Sequence, residues 1–285
     1  MRRWCDRARR SVGALAVTLL AAPAATFAQA PAAADKGALA LARLSLVEHK
    51  VEVEKKGAKW QAAVEDAPLQ IGEALRTGPD AVARLELPWM ALTLSPDSSL
   101  RFPDAFLLSA TLDSGRALVE APGLDALKLV TAEAEVRGQG RAVVRRQGRS
   151  TLVTCLAGRF FVEAKGAVVT LTPGRGSVVD AGRAPGAAQD VPTAPTEGLW
   201  PAHDPVYLAP AEAVELRWKG NAASYQLELL PVGSDVVLMQ RDVTASPVKL
   251  QVPWEGAFRW RVSARDPRGL EGVPSADGLI AVDAK

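Results

Sequence analysis

Histidine and cysteine are scarce in this chain of 285 residues, which contains two of each. Nucleophilic catalysis needs a base beside a serine or cysteine, and neither His49 nor His203 has such a partner at a telling spacing. The clustered ligands of zinc sites and the closely spaced aspartates of calcium loops are also missing. We therefore predict no catalytic, metal-binding or cofactor-binding residues and a protein that is not an enzyme. An enzyme with two catalytic carboxylates that lie far apart in the sequence is the alternative that stays open.

Long apolar runs are absent apart from Val12–Ala22, which is too short for a confident membrane span. Five arginines precede this run and small residues follow it, a pattern typical of a secretory signal peptide. We predict a signal peptide over 1–28, cut after Ala28. A cut after Ala30 fits less well because Pro31 would follow the cleaved bond, and an uncleaved anchor is the alternative. The mature protein is then expected in the periplasm, with no stable membrane insertion.

Removal of the signal peptide changes what the composition means. The formal net charge of +2 becomes about −2, so the basic character belongs to the signal peptide. Cys5 is lost with it, and Cys155 remains alone in the apolar segment 152–156. No intramolecular disulfide is then possible, and we expect Cys155 to be a buried thiol. Beyond a short tail over 29–43, the mature chain is long enough for two domains.

Helical periodicity is nearly absent from the mature chain, where apolar and polar residues alternate instead. This alternation predicts strands at 83–87, 90–94, 100–102, 214–218, 225–229, 248–252 and 258–264. It is typical of sheets with one solvated face, so the fold is predicted to be all-β. Prolines concentrate at 183–204, which predicts a semi-rigid linker between β domains at 44–182 and 205–285.

A nine-residue segment recurs, at Gly115–Gly123 and again at Gly158–Gly166, with a shorter echo at 53–57. Each copy alternates charged and apolar residues between glycines, which predicts a strand that turns at a glycine in a repeated β unit. We expect Leu118 and Phe161 to point inward. The charged positions of both copies are expected to face water; they are Arg116, Glu120, Arg159 and Glu163.

The order of turns and strands in the first domain resembles the periplasmic FecR domain. The resemblance rests on GEALRTG at 72–78, ARLEL at 83–87 and LSPDSSL at 94–100, and covers about 44–182. It implies a solenoid-like stack of sheets that is used for protein contacts.

Three local departures from the FecR pattern lie at turns or on the surface: Glu73 replaces the usual Asp, Ala132 stands where Pro is common, and 87–90 replaces an Asp-Gly turn. A larger departure is that the namesake regulators carry a sigma-factor-binding segment and a membrane helix where this chain has a signal peptide. The anti-sigma function is therefore not carried over.

The second domain is similar to a fibronectin type III or related immunoglobulin-like sandwich. The residues that carry the similarity are Trp218, the alternating segments 225–229 and 258–264, and the loop 266–272. The similarity implies a small β-sandwich in which an early Trp packs against a late strand. A length of about 80 residues is slightly short for seven full strands, so one edge strand is expected to be abbreviated.

Five arginines fall within thirteen residues and form the candidate interaction surface: Arg137, Arg141, Arg145, Arg146 and Arg149. A solvated hairpin is the simplest interpretation, because charge runs usually face water. The alternative is a surface that docks an acidic protein or an anionic envelope glycan. Nucleic acid is not expected as a partner, since the protein is exported and lacks interleaved aromatics. Trp60 and Trp89 raise a second glycan hypothesis, stacking on sugar rings, which only their exposure decides.

These observations leave two hypotheses on function. The first is a non-enzymatic periplasmic scaffold of the bacterial envelope that binds a protein partner in interaction or signalling. The second is a protein that binds peptidoglycan or another polysaccharide.

Overall fold

The computed structural model describes residues 41–283, with gaps at 57, 89, 104–108 and 124–127. The regular secondary structure within these ranges consists of β-strands alone. The predicted all-β class is therefore confirmed. No helix in these ranges is long and apolar enough to span a membrane. The signal peptide over 1–28 and most of the tail lie outside the described residues.

Residues 42–190 form one 15-stranded sheet, which we call the N-terminal sheet. Its strands are β1 (Ala42–Glu48), β2 (Val51–Glu54), β3 (Trp60–Ala62), β4 (Pro68–Leu69), β5 (Ala74–Thr77), β6 (Val82–Leu87), β7 (Met90–Leu94), β8 (Ser99–Arg101), β9 (Ser109–Ala121), β10 (Lys128–Val130), β11 (Glu135–Gln147), β12 (Ser150–Ala164), β13 (Ala167–Leu171), β14 (Arg175–Asp180) and β15 (Gln189–Asp190). The main path runs β15-β14-β12-β11-β10-β9-β7-β6-β1-β4, and the other strands branch from it. Strand β1 begins within the predicted tail, two residues before the predicted domain.

Alternation in the sequence places one face of each strand in a common core. In the β6–β7 hairpin, Leu85 pairs with Leu92 and both side chains are fully buried. The same core cluster takes Val119 from β9, Val144 from β11 and Val153 from β12. Burial of such side chains is the main favourable term for this half of the chain.

Glycines bend the three longest strands, β9, β11 and β12. Gly140 of β11 pairs with Gly158 of β12, with φ values of 104° and 79°. A Cβ at Gly140 would collide with the carbonyl oxygen of Ala157. Because L-residues with a side chain rarely adopt these angles, glycine is required at this crossing. Strand β9 bends at Gly115 (φ 88°), so its first half pairs with β8 and β10 and its second half with β7 and β11.

Residues 206–282 form a five-stranded and a two-stranded sheet, which we call the C-terminal sheets. Their strands are β16 (Val206–Leu208), β17 (Ala213–Leu216), β18 (Ser224–Pro231), β19 (Met239–Val243), β20 (Val248–Gln251), β21 (Gly256–Arg265) and β22 (Gly278–Val282). The order in the larger sheet is β16-β22-β21-β18-β19, and β17 pairs with β20. The core between them contains Trp218 and Trp260, whose ring centroids lie 6.2 Å apart.

The outward face of the larger C-terminal sheet is also buried. Glu228, on the side of β18 opposite its core residues Leu227 and Leu229, is 2% exposed. It pairs across the strands with Arg261 of β21, which is 7% exposed. Contacts with the N-terminal sheet account for this burial, since Leu270 clusters with Leu152 and Val178 of β12 and β14.

The segment predicted as a linker is hydrogen-bonded to both halves of the chain. Strand β15 pairs with β14 of the N-terminal sheet. The amide of Lys219 donates to the carbonyl of Glu197, and Trp200 forms a β-bridge with Arg217. The exact domain limits proposed from the sequence stay a prediction.

Candidate functional site

A turn of the N-terminal sheet holds the backbone of Arg116 in place. Thr77 Oγ1 donates to the carbonyl of Ser95 (2.6 Å) and accepts the amide of Ser98 (2.9 Å). Ser98 Oγ in turn accepts the amide of Arg116 at 3.0 Å. The Thr77 and Ser98 positions belong to the segments that resemble the FecR pattern, so these segments position the arginine.

The side chain of Arg116 crosses from the N-terminal sheet to the larger C-terminal sheet. Its Nε donates to Glu271 Oε2 at 2.9 Å, and one terminal nitrogen donates to Glu271 Oε1 at 2.6 Å and Glu228 Oε1 at 3.1 Å. Its other terminal nitrogen donates to Ser95 Oγ at 3.1 Å. Arg116 is 4% exposed, so the prediction that it faces water was wrong. The outward face of β9 is covered by a second sheet there, and two carboxylates replace water as the partners of the guanidinium.

Further arginines extend this contact into a charged layer between the sheets. Arg261 donates from Nε to Glu228 Oε2 at 2.8 Å. Arg265 lies 3.3 Å from Glu271 Oε2 and 2.7 Å from Asp242 Oδ2. Arg145 lies 3.3 Å from the same Asp242 oxygen. The charged layer thus comprises four arginines and three carboxylates: Arg116, Arg145, Arg261, Arg265, Glu228, Asp242 and Glu271.

The electrostatics of the charged layer favour the ionised pairs. Burial alone would raise the pKa of Glu271, but Arg116 and Arg265 outweigh it and lower the pKa to about 2. Burial would lower the pKa of Arg116, but Glu271 and Glu228 raise it above its ordinary value. Arg145 differs, because burial and the neighbouring Arg265 lower its pKa despite Asp242.

The other residues of the repeat divide between water and ion pairs. Arg159 is exposed, as predicted. Glu120 is half-buried and lies 2.5 Å from Arg84, and Glu163 is half-buried. Phe160, rather than the predicted Phe161, points into the core, because the inward register of β12 continues through Val162.

Leu118 is buried as expected, but on the face that meets the C-terminal sheet rather than in the N-terminal core. It pairs with Val143 of β11, whose neighbour across the sheet is Thr154 of β12. The hydroxyl of Thr154 donates to the carbonyl of Glu271 at 2.6 Å. Leu118 lies between Arg116 and Glu120 on the outward face of β9. An apolar residue at such a position indicates that a second layer packs on this face.

The five arginines of the candidate interaction surface all lie on β11 or the turn that follows it, but they do not share one environment. Arg137 is exposed at the start of the strand, stacks on Phe161 with 5.7 Å between guanidinium and ring centroid, and is 3.8 Å from Glu163. Arg149 is exposed in the turn at the opposite end. Ten residues of strand between Arg137 and Gln147 span up to about 33 Å, so the two exposed ends are far apart.

The three arginines between these ends have carboxylate partners. Arg141 Nε lies 3.5 Å from Glu120, although this nitrogen and one terminal nitrogen lack a well-formed hydrogen bond. Arg145 belongs to the charged layer, and Arg146 binds Glu133 with its Nε at 2.9 Å. That the five arginines form one continuous binding surface stays a prediction.

A cleft of about 530 Å³ opens where the charged layer reaches solvent, and we call it the layer cleft. Its walls include Asp97, Arg145 and Arg146 from the N-terminal sheet and Arg241 and Arg265 from the C-terminal sheets. A neighbouring cleft of about 480 Å³ shares residues with it and is lined further by His49 and Lys249. Asp80, Gln240 and Arg241 line both, so the two clefts are adjacent.

Reactive groups elsewhere are isolated. Cys155 is fully buried, as predicted, and burial raises the pKa of its thiol to about 11. Trp60 is half-buried, and the guanidinium carbon of Arg76 lies 4.3 Å from the centroid of its ring, so one ring face is already occupied. Trp89 lies outside the described residues. Within those residues, no group of three or more His, Cys, Asp or Glu side chains could hold a metal ion.

Comparisons with known proteins find weak structural similarity and no family for this chain. No protein-family model matches the chain, and no curated protein matches it. Two crystal structures, both described as a "putative anti-sigma factor" from Parabacteroides distasonis, match with a TM-score of 0.36 and 15% identity. The match covers 41% of this chain and 59% of each of those chains, so it spans less than two thirds of their length. The similarity is weak, and membership of the FecR family stays a prediction.

Proposed function

We propose that this protein is a non-enzymatic scaffold of the bacterial periplasm, in which a FecR-like sheet and a fibronectin type III-like sandwich together bind an envelope protein in signalling. The observation that carries the proposal is the charged layer. It joins the two halves through ion pairs that are buried on both sides, and Leu270 of the C-terminal half packs on Leu152 and Val178 of the N-terminal sheet. Two surfaces on different halves are therefore held at a fixed spacing, which suits a scaffold.

The exposed end of β11 and β12 is the surface that we assign to the partner. Arg137 and Arg159 both lie on the outward face there, beyond the region that the C-terminal sheets cover, and both are exposed. Phe161 lies directly across from Arg137 and is half-buried beneath its guanidinium. Arginines with an aromatic ring between them are typical of protein-binding surfaces, and their charge suits an acidic partner.

In-cell photocrosslinking tests this assignment. A photoreactive residue at Gln139, which pairs with Arg159 and is exposed, should give a reproducible adduct with an envelope protein. The double variant Arg137→Gln/Arg159→Gln should reduce the adduct at least fivefold, because the surface loses both its cations. The matched control, Arg43→Gln/Arg183→Gln, removes the same charge from exposed residues elsewhere and should leave it unchanged. Absence of a reproducible adduct, or equal loss in both variants, would contradict the proposal.

The periplasmic location rests on the signal peptide predicted for 1–28. Purification of the protein from the periplasmic fraction should give a mature N-terminus at Gln29, read by intact-mass measurement. A cytoplasmic chain that retains Met1 would contradict the location, whereas a start at Pro31 would change only the cleavage position.

A further inference from the structure

Strand β13 pairs with β12 on one side and has no strand on its other side among the described residues, and we call that side the free edge. We propose that the free edge binds an extended acidic segment of the envelope partner, which adds to the N-terminal sheet as a further strand. This mode of binding rests on the proposed function and states how the partner is held. Three features of the free edge support it: unpaired backbone groups, a lack of the usual protection, and two cations beside it.

The backbone groups of Val168 and Thr170 point away from β12. The turn before β13 is the two-residue loop Lys165-Gly166, in which both φ values are positive, 51° and 74°. In a hairpin of this type the flanking pair, here Ala164 and Ala167, exchanges two hydrogen bonds, and bonded pairs then alternate along the strands. Val168 and Thr170 are therefore at non-bonded positions, and their amides and carbonyls lie along the free edge. No other strand or turn in the described part of the chain bonds to them.

The free edge is both ordered and accessible. Val169 packs against the core of the N-terminal sheet, and Leu171 is fully buried in that core. On the opposite face of the strand, Val168 is 50% exposed and Thr170 is exposed. Because the strand is already held in an extended conformation, little entropy is lost on this side when a second strand binds.

The free edge lacks the features that protect edge strands. Native edge strands are usually very short, or they carry charged residues or proline that prevent pairing with other chains. Among the other described strands with a single partner, β3 and β16 have three residues each. The rest contain a proline or a charged residue: Pro68 in β4, Asp190 in β15, Glu215 in β17, Arg241 in β19 and Lys249 in β20. Strand β13 has five residues, AVVTL, and no such residue, as strand addition requires.

The charge beside the free edge favours an acidic segment. The carboxylates on the outward face there are already paired, Glu163 with Arg137 at 3.8 Å and Glu135 with Lys128 at 2.9 Å. Lys165 lies in the turn before β13, and Arg159 lies on β12 near the far end of β13. Both are exposed, and neither forms an ion pair with a described residue. Their uncancelled positive charge at the two ends of the free edge attracts the carboxylates of an added strand.

The crosslinked adduct expected from a photoreactive residue at Gln139 is the probe for strand addition. Thr170→Pro replaces the amide at the free edge with a ring, and it leaves the bonds between β12 and β13 intact because this amide takes no part in them. The yield of adduct should fall about tenfold, because the added strand loses a backbone bond and its close approach. The matched control Thr170→Ala keeps the amide and should give the yield of the unaltered chain. Melting temperatures check that both variants fold.

A second pair of variants tests the charge of the segment and does not depend on a proline. Val168→Asp and Val168→Lys change the same exposed side chain, and an acidic segment is repelled by the first and attracted by the second. Val168→Asp should lower the yield of adduct about fivefold, whereas Val168→Lys should retain most of it.

The possible results distinguish this inference from the proposed function. An adduct at Gln139 that Thr170→Pro and Val168→Asp leave unchanged would overturn strand addition but not the scaffold. Equal losses in Val168→Asp and Val168→Lys would overturn the acidic character of the segment. An adduct with the mass of two mature chains would show that a second copy occupies the free edge, which also overturns the proposal. The absence of any adduct at Gln139 would contradict the proposed function, and strand addition with it.

Discussion

Equivalent residues of the repeat have opposite environments. Arg116 and Arg159 occupy the same position after a glycine of positive φ, yet Arg116 is 4% exposed and Arg159 faces water. The difference comes from what covers the outward face of each strand, since the C-terminal sheet covers only Arg116. Local alternation determines which side a residue lies on, but not whether that side meets solvent or another sheet.

The partners of Arg116 could not be found from the sequence for the same reason. Glu228 lies at an outward position of an alternating strand, as a solvated glutamate would. The available signal was the apolar residues at outward positions, Leu118, Val143 and Leu152, which a fully solvated face would not need. They indicated a second packed face without identifying what packs there.

Cys155 should be chemically inert in the folded protein. The thiolate is the reactive form, and burial keeps the thiol protonated with a pKa of about 11. In protein that lacks 1–28, native labelling by a thiol-specific reagent at pH 7 should be at least a hundredfold slower than labelling in denaturant. Rapid native labelling would show that β12 opens to solvent.

At the scale of strands, periodicity predicted the secondary structure closely. Alternation at 83–87, 90–94 and 258–264 corresponds to β6, β7 and β21. The seven C-terminal strands include the short edge strand β16, in keeping with the expected abbreviated edge. The branched order of the N-terminal sheet was not predictable, because it depends on strands that bend between partners. Those bends depend on backbone angles at single glycines.

Gly140→Ala should disrupt the crossing of β11 and β12. The new Cβ would meet the Ala157 carbonyl and would sit on a residue with φ of 104°. Strain of this kind costs about 1–3 kcal/mol, to which the collision adds. Chemical denaturation should show a loss of at least about 2 kcal/mol.

Gly123→Ala is the matched control for this variant. Its Cβ would have no neighbour within 4 Å among the described residues, and its φ lies outside the positive range. Its stability should stay within about 0.5 kcal/mol of the unaltered protein. Similar losses in both variants would show that the crossing is not constrained.

For the whole molecule, the charged layer predicts joint unfolding of the two halves. Glu271→Gln leaves Arg116 buried without its bidentate partner, which should cost about 3–5 kcal/mol. The variant should also separate the unfolding of the N-terminal and C-terminal sheets into two thermal transitions. Glu163→Gln, on an outward position away from the layer, should retain a single transition and lose less than about 0.5 kcal/mol.

The same pair gives a defined dependence on pH. The pKa of Glu271 falls from an ordinary 4.5 to about 2 in the folded protein, so its stabilisation is complete above pH 4.5 and is lost as pH falls through about 2. The stability difference between the unaltered chain and Glu271→Gln should therefore narrow between these limits. Denaturant titrations at pH 7, 4 and 2 measure it, and a difference independent of pH would contradict the ion pair.

The charged layer also constrains the order in which the chain can reach its final state. Glu271 follows Arg116 by 155 residues, so the strands from β10 to β21 must be made before this pair can form. Until then, the guanidinium groups of Arg116 and Arg145 on the outward face of the N-terminal sheet are solvated by water. The same face carries the apolar side chains of Leu118, Val143 and Leu152, so an N-terminal sheet that folds early exposes a surface that the C-terminal sheets must later cover.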